Sequence, residues 1–267
     1  MGCSFILSRS GVFAMTRINK KFTRLYMDGY DISGYSNEIG SLDWLYDVTP
    51  NAAFSDSVMN GINGKAVVSA GTINAFLDND TAGLTSLTQT GAGTKNIMVA
   101  FGTNAVPVAG DPVFAWKFEQ SNYQKTEGDS FSAVTLNVSN ASYTSPPTYQ
   151  KPWGVLLAPM AARTAASTAT GIDDIGAASA LGGIFVYHAS SSDGTFTLTA
   201  EEASSNLNAS FAAITGATSG SIDASVTPKS GMIELGTTAA IKRYLRFQLA
   251  LGSATTVTFC SAFIRIV

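Results

Sequence analysis

Apolar residues recur along this chain in short blocks with a period of two, broken by glycine, proline, asparagine and serine. None of the stretches between them keeps a helical period. Residues 22–27 predict a first strand, ended by the turn signal Asp28-Gly29. Residues 65–77 predict a strand pair or one bent strand, with Gly71 marking a bulge or a close backbone approach. Strands follow at 96–101 and 112–118. In the latter Phe114, Trp116 and Phe118 share one face, and Val113, Ala115 and Lys117 the other. Residues 131–138 place Val134, Leu136 and Val138 together.

Ser145-Pro146-Pro147-Thr148-Tyr149-Gln150-Lys151-Pro152 then interrupts the pattern. Three prolines in eight positions cannot lie inside a sheet, because each lacks a ladder donor. The segment 146–152 reads as a linker between a domain at 22–145 and another at 153–267. A strand restarts at 153–157, and the Ala/Thr/Gly/Ser-rich stretch 161–183 favours loops and short strands. Residues 183–187 look like a buried strand, and Ser190-Ser191-Ser192-Asp193-Gly194 like a turn. Residues 195–200 alternate strictly, with Phe196, Leu198 and Ala200 inward and threonines outward. Strands at 232–235, 243–251 and 255–267 complete the set. In the second of these Leu245, Phe247, Leu249 and Leu251 share a face, and Gly252-Ser253 predicts a hairpin into the last strand. Both halves read as all-β, the second as a sandwich of immunoglobulin-like size.

Charge is sparse and uneven. Charged residues make up 13% of the 267 positions, and Arg9, Arg17, Lys20, Lys21 and Arg24 are five of the 16 bases. No acid precedes Asp28, so the rest of the chain holds 11 bases against 19 acids. An acidic body does not recruit DNA by phosphate neutralisation, yet suits a surface that DNA passes without sticking. Residues 1–21 read as a flexible basic arm, or in part as an upstream extension of a start at Met15. Residues 1–7 are too short for a signal-peptide core, and Ile6 stands where a myristoylation signal wants Ser or Thr. No apolar run approaches the length needed to cross a bilayer as a helix.

The inventory of reactive groups is small. His188 is the single histidine, so any triad must use it, and its place before a serine-rich turn predicts a half-exposed strand end. Cys3 and Cys260 make no disulfide framework, and Cys260 sits in a strand pattern as a small buried residue. One His and two Cys cannot supply the usual zinc ligands. Asp78-Asn79-Asp80 and Asp173-Asp174 are candidate calcium clusters, but Asx-rich turns explain them without a metal. Glu201-Glu202 are adjacent on an extended chain, face opposite sides, and read as solvated strand-end charges. Gly91-Ala92-Gly93 lacks the lysine and the helix of a phosphate loop and reads as a hairpin turn. Lys242-Arg243 with Arg246 reads as charge that blunts a strand edge. The inventory predicts no catalytic, cofactor-binding or metal residue, and no enzyme.

The order of weak motifs adds a resemblance. Arg24-Leu25-Tyr26-Met27-Asp28-Gly29-Tyr30-Asp31-Ile32-Ser33-Gly34-Tyr35 resembles the opening of the tailed-bacteriophage, siphovirus-like major tail or tail tube proteins. Asp47-Val48-Thr49, Asn60-Gly61-Ile62-Asn63-Gly64 and Gly71-Thr72-Ile73-Asn74-Ala75-Phe76-Leu77-Asp78 resemble its next blocks, in order. In the second half a threonine-rich strand, Ser204-Ser205-Asn206, Phe211-Ala212-Ala213-Ile214 and Arg243-Tyr244-Leu245-Arg246 continue it, up to a final strand ending near Arg265. The likeness spans residues 22–267. The first 20 residues and Glu201-Glu202 depart from it.

This resemblance implies a tube-like β-barrel or sandwich at 22–145 and an Ig-like β-sandwich decoration domain at 153–267. It implies a virion structural protein that self-assembles, in six-membered rings stacked into the tail tube, with no cofactor. Its partners would be copies of itself, other tail proteins and passing double-stranded DNA read without sequence specificity, with no membrane. Assembly would take place in the host cytoplasm. The competing reading is a capsid-decorating or receptor- or glycan-binding β-sandwich of the virion, which exposed loop aromatics in the second half would favour. A hydrolase is the least favoured reading.

Overall fold

Alternation places the strands, but their lengths and partners follow from which faces are covered. The computed structural model describes residues 20–51, 60–70, 72–77, 87–88, 94–103, 105–127, 132–140, 152–168, 170–173, 178–236 and 239–266. Residues 1–19 of the expected arm at 1–21, Gly71, Asp78 to Asp80, Gly91 to Gly93 and linker residues 146–151 lie outside them, and Lys20–Phe22 form a 3-10 turn.

The first half runs through β1 (Thr23–Met27), β2 (Tyr30–Asp31), β3 (Ser36–Ile39), β4 (Leu42–Asn51), β5 (Asn60–Ala70), β6 (Thr72–Phe76), β7 (Thr94–Phe101), β8 (Pro112–Glu127) and β9 (Ser132–Asn140). The second contributes β10 (Trp153–Arg163), β11 (Ser167–Thr168), β12 (Ile172–Asp173), β13 (Gly183–Ser192), β14 (Thr195–Ala203) and β15 (Ala212–Thr218). It ends with β16 (Ile222–Asp223), β17 (Lys229–Glu234), β18 (Tyr244–Leu251) and β19 (Val257–Arg265). The all-β expectation holds.

The largest sheet runs β17-β13-β19-β10-β8-β7-β1-β2, and β9, β6 and β3 continue it from β8. The 16-residue β8 is the fork. It pairs with β7 along one edge, with β10 at Pro112 to Phe114, and with β9 from Phe118 onward. A second sheet centres on β18 and β14, flanked by β11 and β12 on one side and by β15 and β16 on the other. β4 and β5 form a third, two-stranded sheet, in register from Leu42↔Ala70 to Asn51↔Asn60.

Three apolar cores lie between these layers. Leu25, Ile97, Val99, Phe114, Trp116 and Phe118 pack against Ile73, Ala75 and Leu136. Phe196, Leu198, Leu245, Phe247 and Leu249 of the second sheet pack against Phe185, Phe259 and Phe263, making the second half a two-layer sandwich. The middle core takes the opposite face of the large sheet, with Tyr26, Met98, Val113, Val186, Cys260 and Ile264. Strands buried on both faces read as continuous apolar runs, which is why Ile97-Met98-Val99-Ala100 are all fully buried.

The large sheet curls around this middle core until β17 returns to β7 and β8. Asn96 Nδ2 donates to Ser230 Oγ at 2.9 Å, and Lys117 Nζ lies 3.4 Å from Glu234 Oε1. The Asp28-Gly29 turn closes the curl, both residues holding positive φ (48° and 92°). Segments 22–145 and 153–267 are therefore joined along β8 and β10 and share one core. Pro152 is buried at this joint, and its carbonyl accepts the Ala115 N–H at 2.9 Å.

One expected pairing does not form. β18 and β19 belong to different sheets, so the predicted hairpin through Gly252-Ser253 is instead an arch between layers. Gly252 N and Ala254 N both donate to the Thr195 carbonyl, at 2.9 and 3.1 Å. The neighbouring β13–β14 turn is laced to it, because Asp193 accepts from Thr255 N and Thr256 N at 2.7 and 2.8 Å. The physical reason is burial. β19 is apolar on both faces and needs a two-sided site, whereas β18 alternates and covers only one layer.

Candidate functional site

Several of the titratable residues that the sequence singles out, His188, Glu201, Glu202 and Arg246, are buried. His188 is the first correction. It lies within β13 opposite Cys260, fully buried rather than half-exposed at a strand end. Its Nδ1 accepts the Gly29 N–H at 3.1 Å, and its Nε2 has no hydrogen-bond partner among the described residues. Tyr26 sits beside it with ring centroids 6.1 Å apart. Burial raises both the Tyr26 phenol and the Cys260 thiol, so this corner of the middle core is uncharged.

Burial pushes the His188 imidazole down from its ordinary 6.5 to about 3. The unfolded chain therefore binds a proton at this ring as pH falls through 6.5, and the folded chain does so only near 3. Stability from this group is complete above 6.5 and falls on acidification through that window. The slope is up to about 1.4 kcal/mol per pH unit. Because the chain has one histidine, a long-range nitrogen–proton spectrum reports it without assignment. The ring signals should stay those of a neutral imidazole from pH 8 to roughly pH 5. A ring titrating near its ordinary value would refute this burial.

Glu201 and Glu202 are the second correction. Both are buried, not solvated. Glu201 Oε2 accepts from Arg246 Nε at 2.6 Å, and Glu202 Oε2 accepts the Lys242 N–H at 2.7 Å. Arg246 itself is only 6% exposed, so it does not blunt an edge. It donates to Asn208 Oδ1 and lies over the Phe211 ring at 4.2 Å. A loop packed over the strand end, residues 204–211, desolvates a pair that alternation alone assigns to the open face. Asp173 belongs to β12, and Asp174 lies outside the described residues. Among the described residues no group of three or more His, Cys, Asp or Glu side chains is placed to hold a metal ion.

A groove of about 860 Å³ opens beside β1, lined by Arg24, Leu25, Glu38, Ile39, Phe101 and Trp153 among others. Its aromatic wall is built by pairing. Trp153 opens β10 opposite Phe114 of β8, which stands opposite Val99 of β7. The Trp153 ring therefore stacks on Phe101 (5.6 Å, 29°) and meets Phe114 edge-on (4.9 Å, 80°). Trp153 remains 37% exposed. On the rim, Arg24 Nη1 donates to the carbonyls of Lys21 and Thr23 at 3.5 and 3.1 Å. Glu38 on the opposite wall accepts from Asn74 Nδ2 at 3.1 Å. Sequence reasoning missed this groove. The signals for it were the bases Lys20, Lys21 and Arg24 beside the first strand and a tryptophan at the first position after the prolines.

The second feature is the β4–β5 ribbon. Among the described residues neither of its outer edges joins another ladder. An isolated two-stranded ribbon is marginal in water, and unpaired edges are templates for a further strand.

No protein-family model matches the chain, and no curated protein matches it. Among solved structures it is similar to the Dit protein of phage SPP1, described as a paradigm of the hub adsorption apparatus in phages infecting Gram-positive bacteria. That match has 13% identity and a TM-score of 0.30, covering 91% of this chain and 99% of that one. It is also similar to a chain of the phage p2 baseplate in its activated, strontium-bound conformation. There the identity is 8% and the TM-score 0.32, covering 91% and 98%.

Proposed function

We propose that this chain is a non-enzymatic structural subunit of a phage tail, assembling into rings that stack into a DNA-conducting tube. The observation that carries the reading is the β4–β5 ribbon, two strands of 10 and 11 residues that pair only with each other among the described residues. Such a ribbon gains most of its stability when a neighbour completes it. The ordered resemblance to tail proteins over residues 22–267 supports the same reading, as does the acidic body, which gives DNA phosphates little to hold. The decoration reading asks for exposed aromatics in the loops of the second half. Among the described residues the exposed large apolar side chains of that half are the aliphatic Leu181, Leu207 and Val226, and Trp153, which opens β10 and lines the groove rather than a loop.

Negative-stain electron microscopy of the purified protein, across concentration and salt, tests this. Rings stacked into hollow tubes are the expected result. Rings that never stack would keep a ring-forming tail subunit and remove the tube. Monomers under all conditions would remove self-assembly, and compact trimers would favour the decoration or adhesion module.

A further inference from the structure

The large sheet curls until β17 meets β7, yet no ladder joins the two strands. We infer that this closure is an acid-opened latch, in which protonation of His188 releases the Asp28-Gly29 turn, parts β7 from β17 and uncovers the middle core.

The geometry of the closure carries it first. β17 forms a ladder with β13 alone, and among the described residues no backbone–backbone hydrogen bond joins it to β1, β2, β7 or β8. The described bonds across the seam run through side chains. Gly29 N–H donates to His188 Nδ1 at 3.1 Å, Asn96 Nδ2 to Ser230 Oγ at 2.9 Å, and Ser230 Oγ to Asp28 Oδ1 at 3.4 Å. Lys117 Nζ lies 3.4 Å from Glu234 Oε1. The turn itself is lightly tied, because β2 adds only the pairs Tyr26↔Asp31 and Met27↔Tyr30. A segment held in this way opens at a lower free energy than the ladders around it.

The chemistry of His188 carries it next. A ring nitrogen that accepts a hydrogen bond holds no proton, so the Gly29 bond selects the neutral tautomer with its proton on Nε2. Protonation puts a proton on Nδ1 and sets it donor to donor against the Gly29 N–H. It also places a charge at a fully buried position. The described neighbours do not offset that charge. Tyr26 of β1 and Cys260 of β19 are held neutral by burial. Asp28 of the turn is taken by Lys95 Nζ at 3.3 Å and by the Asn96 N–H at 2.9 Å, both on β7. Asp31 of β2 is exposed and accepts from Ser33, and Lys229 of β17 adds a like charge while donating to Thr227. Once open, the ring meets water and titrates near its ordinary 6.5, against about 3 when closed. Between pH 8 and 4.5 the open fraction therefore rises by about a hundredfold.

Amide hydrogen exchange on the whole protein, read by mass spectrometry and corrected for the intrinsic rate at each pH, tests the latch. A peptide over residues 26–32 reports the turn, and peptides over 153–158 and 195–200 report β10 and β14. From pH 8 to 4.5 exchange over 26–32 should speed by about a hundredfold. At pH 4.5 its amides should remain at least about tenfold less protected than the two references, as local opening requires. The open form stays a small minority, so the averaged imidazole signals remain those of a neutral ring. His188→Asn keeps an acceptor near the Nδ1 position and cannot take the charge, so it should abolish the acid response. Ser230→Ala removes a bond across the seam without touching a titrating group. It should speed exchange over 26–32 at pH 8 by roughly fivefold and leave the acid response in place. Flat exchange over 26–32 in the wild type overturns the latch, and so does a folded His188→Asn that keeps the acid response. Equal protection in all three peptides also overturns it, since the whole molecule then unfolds together. The wild type and Ser230→Ala decide the matter even if His188→Asn does not fold.

Discussion

Glu201→Ala should destabilise the protein by about 3–5 kcal/mol, because it strands a buried guanidinium. Arg246 Nε lies 2.6 Å from the Glu201 carboxylate, with the two side chains 7% and 9% exposed. Removing the acid leaves Arg246 with Asn208 and the face of Phe211, which cannot neutralise a full charge away from water. The comparison that isolates the charge is Glu201→Leu combined with Arg246→Met. Replacing both partners by apolar side chains removes the stranded ion, so the pair of changes should cost clearly less than Glu201→Ala alone. Urea unfolding of the three proteins gives the ordering. A double variant as damaged as the single one would mean that packing, not charge, holds this site.

Gly29→Ala comes second, at about 3 kcal/mol or more. Gly29 holds φ +92°, a conformation that costs an L side chain about 1–2 kcal/mol. Its missing side chain also matters. A Cβ there would stand 2.7 Å from Lys229 N and O and 2.8 Å from the Ala189 carbonyl. Those are backbone atoms of β17 and β13, which cannot swing aside, so the turn must retreat and add overpacking strain of about 1–3 kcal/mol. Retreat also breaks the Gly29 N–H···His188 Nδ1 bond and opens the curl of the large sheet. The melting temperature should fall by roughly 6–12 °C for a loss of that size. Gly34→Ala is the control, since a Cβ at that position would meet nothing within 4 Å and no positive φ constrains it. If both substitutions behaved alike, the turn would not be the clasp between the two halves.

Much of the local structure was legible without coordinates. The two-residue period of Phe196, Leu198 and Ala200 states a strand with one covered face, and those three are buried while Thr195, Thr197 and Thr199 are only partly so. Asp28-Gly29 announced its turn, because few other pairs accept successive positive φ values. Cys260 was legible as a small buried residue from its apolar neighbours. The site was far less so. The groove gathers Arg24, Glu38, Phe101 and Trp153 from four strands spread over 130 residues, and no local pattern links them.

By itself, then, the sequence determined the all-β class, the place of most strands, the acidic body with its basic beginning, and the scarcity of reactive groups. These are properties of single residues and near neighbours, set by alternation, turn chemistry and composition. Only the tertiary structure decided which sheet each strand joins, that β18 and β19 part company, and that the halves share a core closed by Gly29 and His188. It alone buried Glu201, Glu202 and Arg246, left the ribbon outside the hydrogen-bond ladders of the two larger sheets and left the groove open. Burial is the reason for the division. Whether a strand's second face meets water or another layer depends on elements a hundred or more residues away, and that distant cover turns a surface charge into a buried pair.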